Sequence, residues 1–310
     1  MYSEGMTVRE APGESSAPAG APPRSAGAGA PQLSRETSLG LERVTVRRYG
    51  ADGYGDVEDH VAREEPLEIR IAGESVAVTM RTPGHDAELV LGFLLAEGIV
   101  RSPAEVGGIA HCGRPGESGN VIEVTSAPGR VIEWEPTGPT RRATLTTSAC
   151  GVCGRRNIDD LMSRIGELDD DARFSADWLR GLTRELSPRQ ANFASSGGVH
   201  AAALWDASRQ LYVVREDVGR HNAVDKVVGR AALDGRWPVA GAALVVSGRT
   251  SFEIVQKAAV ARIALVVGVS APSSLAIACA RRANLTLIGF ARGERFNVYA
   301  GEQRISELGS

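Results

Sequence analysis

Two thiols stand three positions apart in the run Thr147-Ser148-Ala149-Cys150-Gly151-Val152-Cys153-Gly154-Arg155-Arg156-Asn157. Such a pair can share one metal ion, close into a tight disulfide, or carry a sulfur atom and pass it on. The neighbours favour the last. Small residues put little bulk over Cys150 and Cys153, and Gly151 and Gly154 admit backbone angles that let a partner approach closely. Arg155 and Arg156 add positive charge, and the pattern predicts a helix that begins near Asn157. Both features stabilise the thiolate, which is the reactive form of cysteine. The spacing alone leaves a half zinc site and a structural turn open. His111 and Cys112 would complete a four-ligand zinc site only if their loop met the pair; no metal is expected. Cys279 falls in an apolar helical run and reads as a core residue.

Other polar groups gather where strands should end. Ser247-Gly248-Arg249-Thr250, Ser270-Ala271-Pro272-Ser273-Ser274 and Ala291-Arg292-Gly293-Glu294-Arg295 each follow a strand-like run. The first two open predicted helices, whose free N–H groups favour anions. Ligands of α/β sheets collect at the carboxyl ends of strands. Arg249, Arg292 and Arg295 would offer phosphates a forked geometry that lysine lacks. None of these loops is a Walker A or a dinucleotide-binding glycine motif, so ordinary turns with solvated arginines remain an alternative. His221, Asn222, Asp225 and Lys226 crowd the start of another predicted helix, and His221 and Asp225 share one face at a separation of four. His221 is an acid–base candidate there. His200, after Gly197-Gly198, is either a packed histidine or a wall of the same pocket.

The rest of the chain must hold these groups in place. Its 310 residues are 43% hydrophobic, enough for one large or two ordinary domains. Thirty-five basic against 38 acidic residues give a net charge of −3, which leaves no global field for nucleic acid. Four cysteines in such a length do not form a disulfide scaffold. The start lacks the apolar core of a signal peptide, and the longest apolar runs are strand-sized. A reducing, cytoplasmic location and no membrane contact are expected.

Residues 1–40, rich in Ala, Pro, Gly and Ser, read as a disordered tail. Residues 41–140 read as a small α+β domain. It has strands at 44–46, 67–71 and 76–80, a hairpin turn at 72–75, a helix at 86–100, and a strand pair, 121–124 and 131–134, around Pro128-Gly129. Residues 141–310 alternate strands (211–214, 243–246, 263–269, 285–290) with helices (221–233, 251–261, 273–283), the pattern of an α/β domain. Thr250 and Glu253 are spaced as a capping box for the second of these helices.

In this order, Ser148-Ala149-Cys150-Gly151-Val152-Cys153-Gly154, Gly197-Gly198-Val199-His200-Ala201-Ala202, Glu216-Asp217-Val218-Gly219-Arg220-His221-Asn222-Ala223-Val224-Asp225-Lys226, Ser247-Gly248-Arg249-Thr250-Ser251-Phe252-Glu253 and Gly289-Phe290-Ala291-Arg292-Gly293-Glu294-Arg295-Phe296-Asn297-Val298-Tyr299 resemble the formate dehydrogenase accessory sulfurtransferase family (FdhD). The likeness runs from about residue 44 to 299. It implies a sulfur carrier acting between a cysteine desulfurase and the bis(molybdopterin guanine dinucleotide) form of the molybdenum cofactor, which formate dehydrogenase needs. By the same likeness Cys150 bears the persulfide and Cys153 is the second thiol of the pair. The guanine nucleotide falls on Phe290, Ala291, Arg292, Gly293, Glu294 and Arg295, with Arg249 and His221 nearby. The larger domain is expected to be cytidine-deaminase-like, without the H-x-E and P-C-x-x-C residues of a zinc deaminase. A homodimer is expected on the same ground.

Two rivals are weighed against this reading. A dithiol oxidoreductase of thioredoxin type usually has an aromatic residue before its C-x-x-C, where this chain has Ala149. A zinc-stabilised or thiol-dependent chaperone that binds an apo-enzyme remains the alternative, and docking on a target is compatible with sulfur transfer.

Overall fold

A computed structural model describes residues 40–112, 119–134 and 165–306. Cys150, Cys153, Arg155, Arg156 and Asn157 lie outside the described residues, as do residues 1–39 of the predicted tail.

The organising element is a six-stranded mixed sheet in the order β13-β12-β11-β10-β8-β9. Its members are β8 (His200–Trp205), β9 (Leu211–Asp217), β10 (Ala243–Val246), β11 (Leu265–Gly268), β12 (Thr286–Arg292) and β13 (Arg295–Ala300). β10, β11 and β12 run parallel, whereas β8 is antiparallel to β10, and β9 and β13 close the edges antiparallel to their neighbours. The central strands Ala-Leu-Val-Val and Leu-Val-Val-Gly are buried along their whole length. Continuous apolar runs of this kind suit a sheet covered on both faces. Alternation splits each strand between two cores. Ala202, Leu204, Leu244 and Val246 face one, with helices α4 (Arg220–Leu233), α5 (Phe252–Val260) and α6 (Ser274–Arg282). Ala201, Ala203, Trp205, Ala243 and Val245 face the other, covered by α2 (Ala176–Leu186) through Leu179, Leu182 and Leu186. Ser175 caps α2 by accepting from the Trp178 N–H at 3.3 Å. Cys279 is fully buried, and burial pushes its thiol up to about 12, as a core residue requires.

A second sheet, ordered β4-β3-β6-β5, comprises β3 (Glu65–Ile71), β4 (Glu74–Arg81), β5 (Val106–His111) and β6 (Val121–Ser126). Ala72 and Gly73 both have positive φ, which makes the expected β3–β4 hairpin a two-residue turn. The expected strand at 131–134 is absent. Val131 is 80% exposed, and β6 instead pairs parallel with β3 and antiparallel with β5. The helix expected at 86–100 is α1 (Asp86–Ala96), and the Gly98 N–H bonds back to the Leu95 carbonyl. Ahead of this sheet, β1 (Leu41–Gly50) and β2 (Gly53–Ala62) form a separate two-stranded ribbon. Two elements unmarked in the sequence pattern, β7 (Phe174–Ser175) and β14 (Ile305–Ser306), pair in parallel; α3 (Ala191–Ser196) precedes β8.

The two sheets are joined by α1 against α4. A Cβ placed on Gly92 would come 2.0 Å from the Asp225 carbonyl oxygen, and one on Gly229 would come 1.8 Å from that of Glu88. Only glycine allows the two backbones to approach this closely. Polar contacts lock the joint. Lys226 Nζ donates to the Thr82 carbonyl at 2.8 Å, Asn222 Nδ2 donates to the Met80 carbonyl at 2.7 Å, and the Thr82 N–H donates to Asp217 Oδ2 at 3.1 Å. Arg215 clasps Glu88 through Nε and Nη2 at 2.6 and 2.8 Å. No helix among the described residues is long and apolar enough to cross a membrane.

Candidate functional site at the carboxyl edge of the large sheet

The three parallel strands end on one edge. β10 runs into Ser247-Gly248-Arg249-Thr250, β11 into Val269-Ser270-Ala271-Pro272, and β12 into Gly293-Glu294. The antiparallel β8 begins there with His200, whose register partner is Asp217 at the end of β9. Backbone bonds tie these loops together. Ser247 N–H donates to the Ala201 carbonyl at 2.9 Å, Thr250 N–H to Ala271 at 3.2 Å, and Phe290 N–H to Ser270 at 3.2 Å. Gly268 and Gly289 make room for this weave, since a Cβ would come 2.3 Å from Thr250 Oγ1 or 2.8 Å from Pro272 Cδ.

The sequence-predicted residues fall into two groups along this edge. Phe290 is 44% exposed and holds a positive φ of 52°, at an irregularity of the β12–β13 pairing. A bulky residue in that region is strained, and strain of this kind concentrates at functional sites. Arg292 is exposed and donates through Nε to the Val269 carbonyl at 3.1 Å. It stands opposite Arg295 across the turn, and Gly293 with φ 56° makes that turn. Ala291 is buried and anchors the segment. Glu294 is turned toward α2, where it pairs with Arg184 at 2.5 Å. Arg249 is exposed at the end of β10.

His221 belongs to the second group, two strands away. Its Nε2 lies 3.1 Å from Ser251 Oγ and 3.8 Å from Glu253 Oε2. Burial opposes ionisation of Glu253, but the Ser251 hydroxyl and the charges of His221 and Arg220 win and lower its pKa. The expected capping box at Thr250 is replaced. Ser251 occupies the N-cap position without a side-chain cap bond, and Thr250 is buried instead. The crowd around His221 also resolves differently from expectation. Asp225 turns into the interior and pairs with Lys257 at 2.7 Å; burial pushes its carboxyl up to about 6 against that attraction. Lys226 pairs with buried Asp217 at 2.7 Å, and Asn222 bridges Asp217 to β4. Asn222 and Lys226 thereby tie the two sheets together and Asp225 ties α4 to α5, whereas His221, itself buried, reaches Ser251 and Glu253 at the edge.

Arg220, which the pattern did not select, also reaches this edge, as does His200, read from the sequence as either a packed histidine or a wall of the same pocket. Arg220 opens α4, and its Nε is buried with no hydrogen-bond partner among the described residues. His200 lies against Gly248, and burial, then the charges of Arg220 and Arg249, lower its pKa. The signal available in the sequence was the pairing of two strand starts and ends, His200 with Asp217, which requires the register rather than the local pattern. His111 lies 3.4 Å from Asp86 Oδ2 on the small sheet, and the Cys112 N–H donates to the Val121 carbonyl at 2.9 Å. No group of metal-binding side chains is found among the described residues.

Residues 62–306 match the model of the FdhD/NarQ family. The chain is 49% identical to a protein of Anaeromyxobacter dehalogenans named sulfur carrier protein FdhD, over 86% of this chain and 94% of that one. It is 45% identical to the protein of the same name from Mycobacterium tuberculosis, over 84% of this chain and 97% of that one. Among solved structures it resembles a putative formate dehydrogenase accessory protein from Desulfotalea psychrophila, with a TM-score of 0.68 and 25% identity, over 86% of this chain and 99% of the other.

Proposed function

Since the chain belongs to the FdhD/NarQ family, we propose that it is a sulfur carrier that serves formate dehydrogenase, taking sulfur from a cysteine desulfurase through a persulfide on Cys150. The observation that carries this reading is the likeness to proteins named sulfur carriers across more than four-fifths of the chain. The chemistry is a thiol–persulfide exchange. The Cys150 thiolate attacks the outer sulfur of the donor's persulfide, a new S–S bond forms, the donor's S–S bond breaks, and its electron pair leaves on the donor cysteine as thiolate. This exchange needs no oxidant or reductant. Cys153 then either takes the outer sulfur by the same exchange, or attacks the inner sulfur of the Cys150 persulfide, so that a Cys150–Cys153 disulfide forms, hydrosulfide leaves, and a thiol reductant restores the pair. Arg155 and Arg156 favour the thiolate at neutral pH.

The acceptor in this reading is the bis(molybdopterin guanine dinucleotide) molybdenum cofactor, bound as substrate. The carboxyl edge of the large sheet suits it. An exposed aromatic ring at Phe290 offers a stacking face for a purine, and Arg249, Arg292 and Arg295 offer donors to phosphate. The sheet order, with two antiparallel strands preceding three parallel ones, supports assigning a cytidine-deaminase-like domain to residues 141–310, after a smaller α+β domain at 41–140. A homodimer and a cytoplasmic location complete the proposal.

Loading with sulfur-labelled cysteine and a desulfurase tests the donor step. Wild-type protein takes up label that thiol reductants release, and Cys150→Ala takes up none. Full labelling of Cys150→Ala rejects the assignment of the carrier residue.

A further inference from the structure

The last strand of the large sheet, β9, is open on the side away from β8, where no strand pairs with it among the described residues. Register identifies its spare groups. Ala201 turns toward β10, since its N–H donates to Ser247 Oγ and its carbonyl accepts from the Ser247 N–H, both at 2.9 Å. Hydrogen-bonding direction alternates along a strand, so Ala202 and Leu204 serve β9 and engage their register partners Arg215 and Val213. Val214, between those two, points its N–H and carbonyl outward. Arg215 Nη1 takes the carbonyl at 2.9 Å, and the N–H is left to the open side. Beyond Arg215 the strand is closed off. Lys226 Nζ reaches the Glu216 carbonyl at 3.5 Å, and the Val218 N–H donates to Thr82 Oγ1 at 3.0 Å. An unpaired edge is a template for another chain, and β9 carries neither of the residues, lysine and proline, that commonly blunt one.

A groove of about 480 Å³ runs along this open stretch, lined by residues 211–215 with Arg189, Arg230 and Asp234. Its walls differ. Val213 packs on the α4 side and Arg215 follows it there by alternation, joined by Arg230 from α4 itself. Leu211 and Val214 pack on the α2 side, with Arg189 in the turn that follows α2. The free charge is positive. Arg189 is exposed, and its Nη1 donates to the Glu185 carbonyl rather than to a carboxylate. Arg230 is 44% exposed. Glu88 is buried behind Arg215, and Asp234 is held by Arg230 Nε at 2.8 Å and by the Tyr212 hydroxyl.

We propose that this groove docks an extended, acidic segment of a partner protein, which adds beyond β9 as a seventh strand. In such strand addition main-chain hydrogen bonds supply affinity, and alternate side chains supply specificity. A segment that alternates carboxylates with apolar residues fits both walls. Its carboxylates face Arg215 and Arg230, and its apolar side chains lie against Leu211 and Val214. A second copy of this chain fits poorly, because a two-fold axis through β9 sets Arg189, Arg215 and Arg230 against their own counterparts. Residues 1–39 fit poorly as well, since they mix both signs and put Arg35 beside Glu36. Three strands separate β9 from β12, so docking here leaves the Phe290 segment open.

The test uses the full-length protein and two fluorescent peptides, one alternating Glu with Val and one alternating Lys with Val. Anisotropy measures binding, and amide hydrogen exchange by NMR follows Val214. The Glu-Val peptide is expected to bind saturably and to slow exchange at Val214, and the Lys-Val peptide is expected not to bind. Val214→Pro removes the outward N–H without taking a donor from the β8–β9 ladder, a position where an edge strand tolerates proline. This variant and Arg189→Glu should each weaken binding by about tenfold or more, with thermal melts close to wild type. Should Val214→Pro fail to fold, Val214 exchange in the wild type and the Arg189→Glu affinity decide the matter. Equal binding of the two peptides, unchanged Val214 exchange under saturating peptide, or unchanged affinity in Arg189→Glu overturns the proposal. Deletion of residues 1–39 should leave the affinity as it was; a gain of about tenfold would make that segment the occupant and reject a partner. Dissociation of a dimer by the peptide, seen in sedimentation, would make a second copy the occupant and reject it likewise.

Discussion

Gly229→Ala is the substitution whose outcome the joint between the two sheets fixes most sharply. By helix propensity alone, alanine in the middle of α4 should stabilise by about 1 kcal/mol. The packing demands the opposite sign. The added Cβ would lie 1.8 Å from the Glu88 carbonyl oxygen, 2.7 Å from its carbon and 2.9 Å from the Gly92 nitrogen. All three are backbone atoms of α1, so no side chain can swing away. Restoring ordinary contact, which begins near 3.4 Å, moves α1 outward by about 1.6 Å along its contact with α4. That displacement stretches the Arg215–Glu88 clasp and the Gln256 Nε2 bond to the Ala96 carbonyl, now 2.9 Å. Overpacking a core typically costs about 1–3 kcal/mol, and backbone against backbone belongs at the upper end; set against the propensity gain of about 1 kcal/mol, a net loss of about 2 kcal/mol is expected. Urea denaturation followed by circular dichroism measures it as a fall in the midpoint. Gly181→Ala in α2 is the control, since its Cβ would meet only Glu185 Oε1 at 4.0 Å and propensity should dominate. A Gly229→Ala protein as stable as wild type would refute the close-crossing account.

Three other outcomes follow from particular contacts. Burial works against the Glu88 carboxylate, but the hydrogen bonds from Arg215 and His85 prevail and hold its pKa at about 2, below its ordinary 4.5. A depressed carboxylate stabilises the fold fully above about pH 4.5 and loses that contribution as the pH falls toward 2. After allowance for solvent screening it amounts to about 2 kcal/mol, read as a steeper acid-side loss in wild type than in Glu88→Gln. Lys257→Met leaves buried Asp225 without its cation and should cost about 3–5 kcal/mol, while adding Asp225→Leu recovers most of it in thermal melts. Phe290→Ala should weaken GDP binding by about 1–3 kcal/mol in calorimetry, the range for loss of a base-stacking ring.

The large sheet was legible in the sequence because its central strands are short, wholly apolar and separated by helices with clear stripes. The residues 243–246 named from pattern are β10 as observed. The small sheet was half legible. Val131 and its neighbours alternate like a strand, yet Ile132 donates its N–H to Ser126 Oγ and the segment leaves the sheet, while the glycine-rich β5 takes the place beside β6. Pairing over long sequence separation does not show in local pattern. The placement of the loop residues at strand ends was legible because arginine, glycine and serine cluster after apolar runs. Asp225 and Lys226 were misread for the same reason, since charge near a helix start looks alike in sequence whether it faces a cleft or a buried partner. The contact of His200 with Gly248 and Arg220 needed three dimensions, because the three come from separate elements.

Peptide mass analysis after incubation with a cysteine desulfurase and cysteine tests the carrier proposal most directly. The account predicts a gain of about 32 Da, one sulfur atom, on the peptide holding Cys150 and Cys153, lost on treatment with dithiothreitol and absent from the peptides holding Cys112 and Cys279. An unmodified Cys150–Cys153 peptide alongside a sulfur-loaded desulfurase would contradict it.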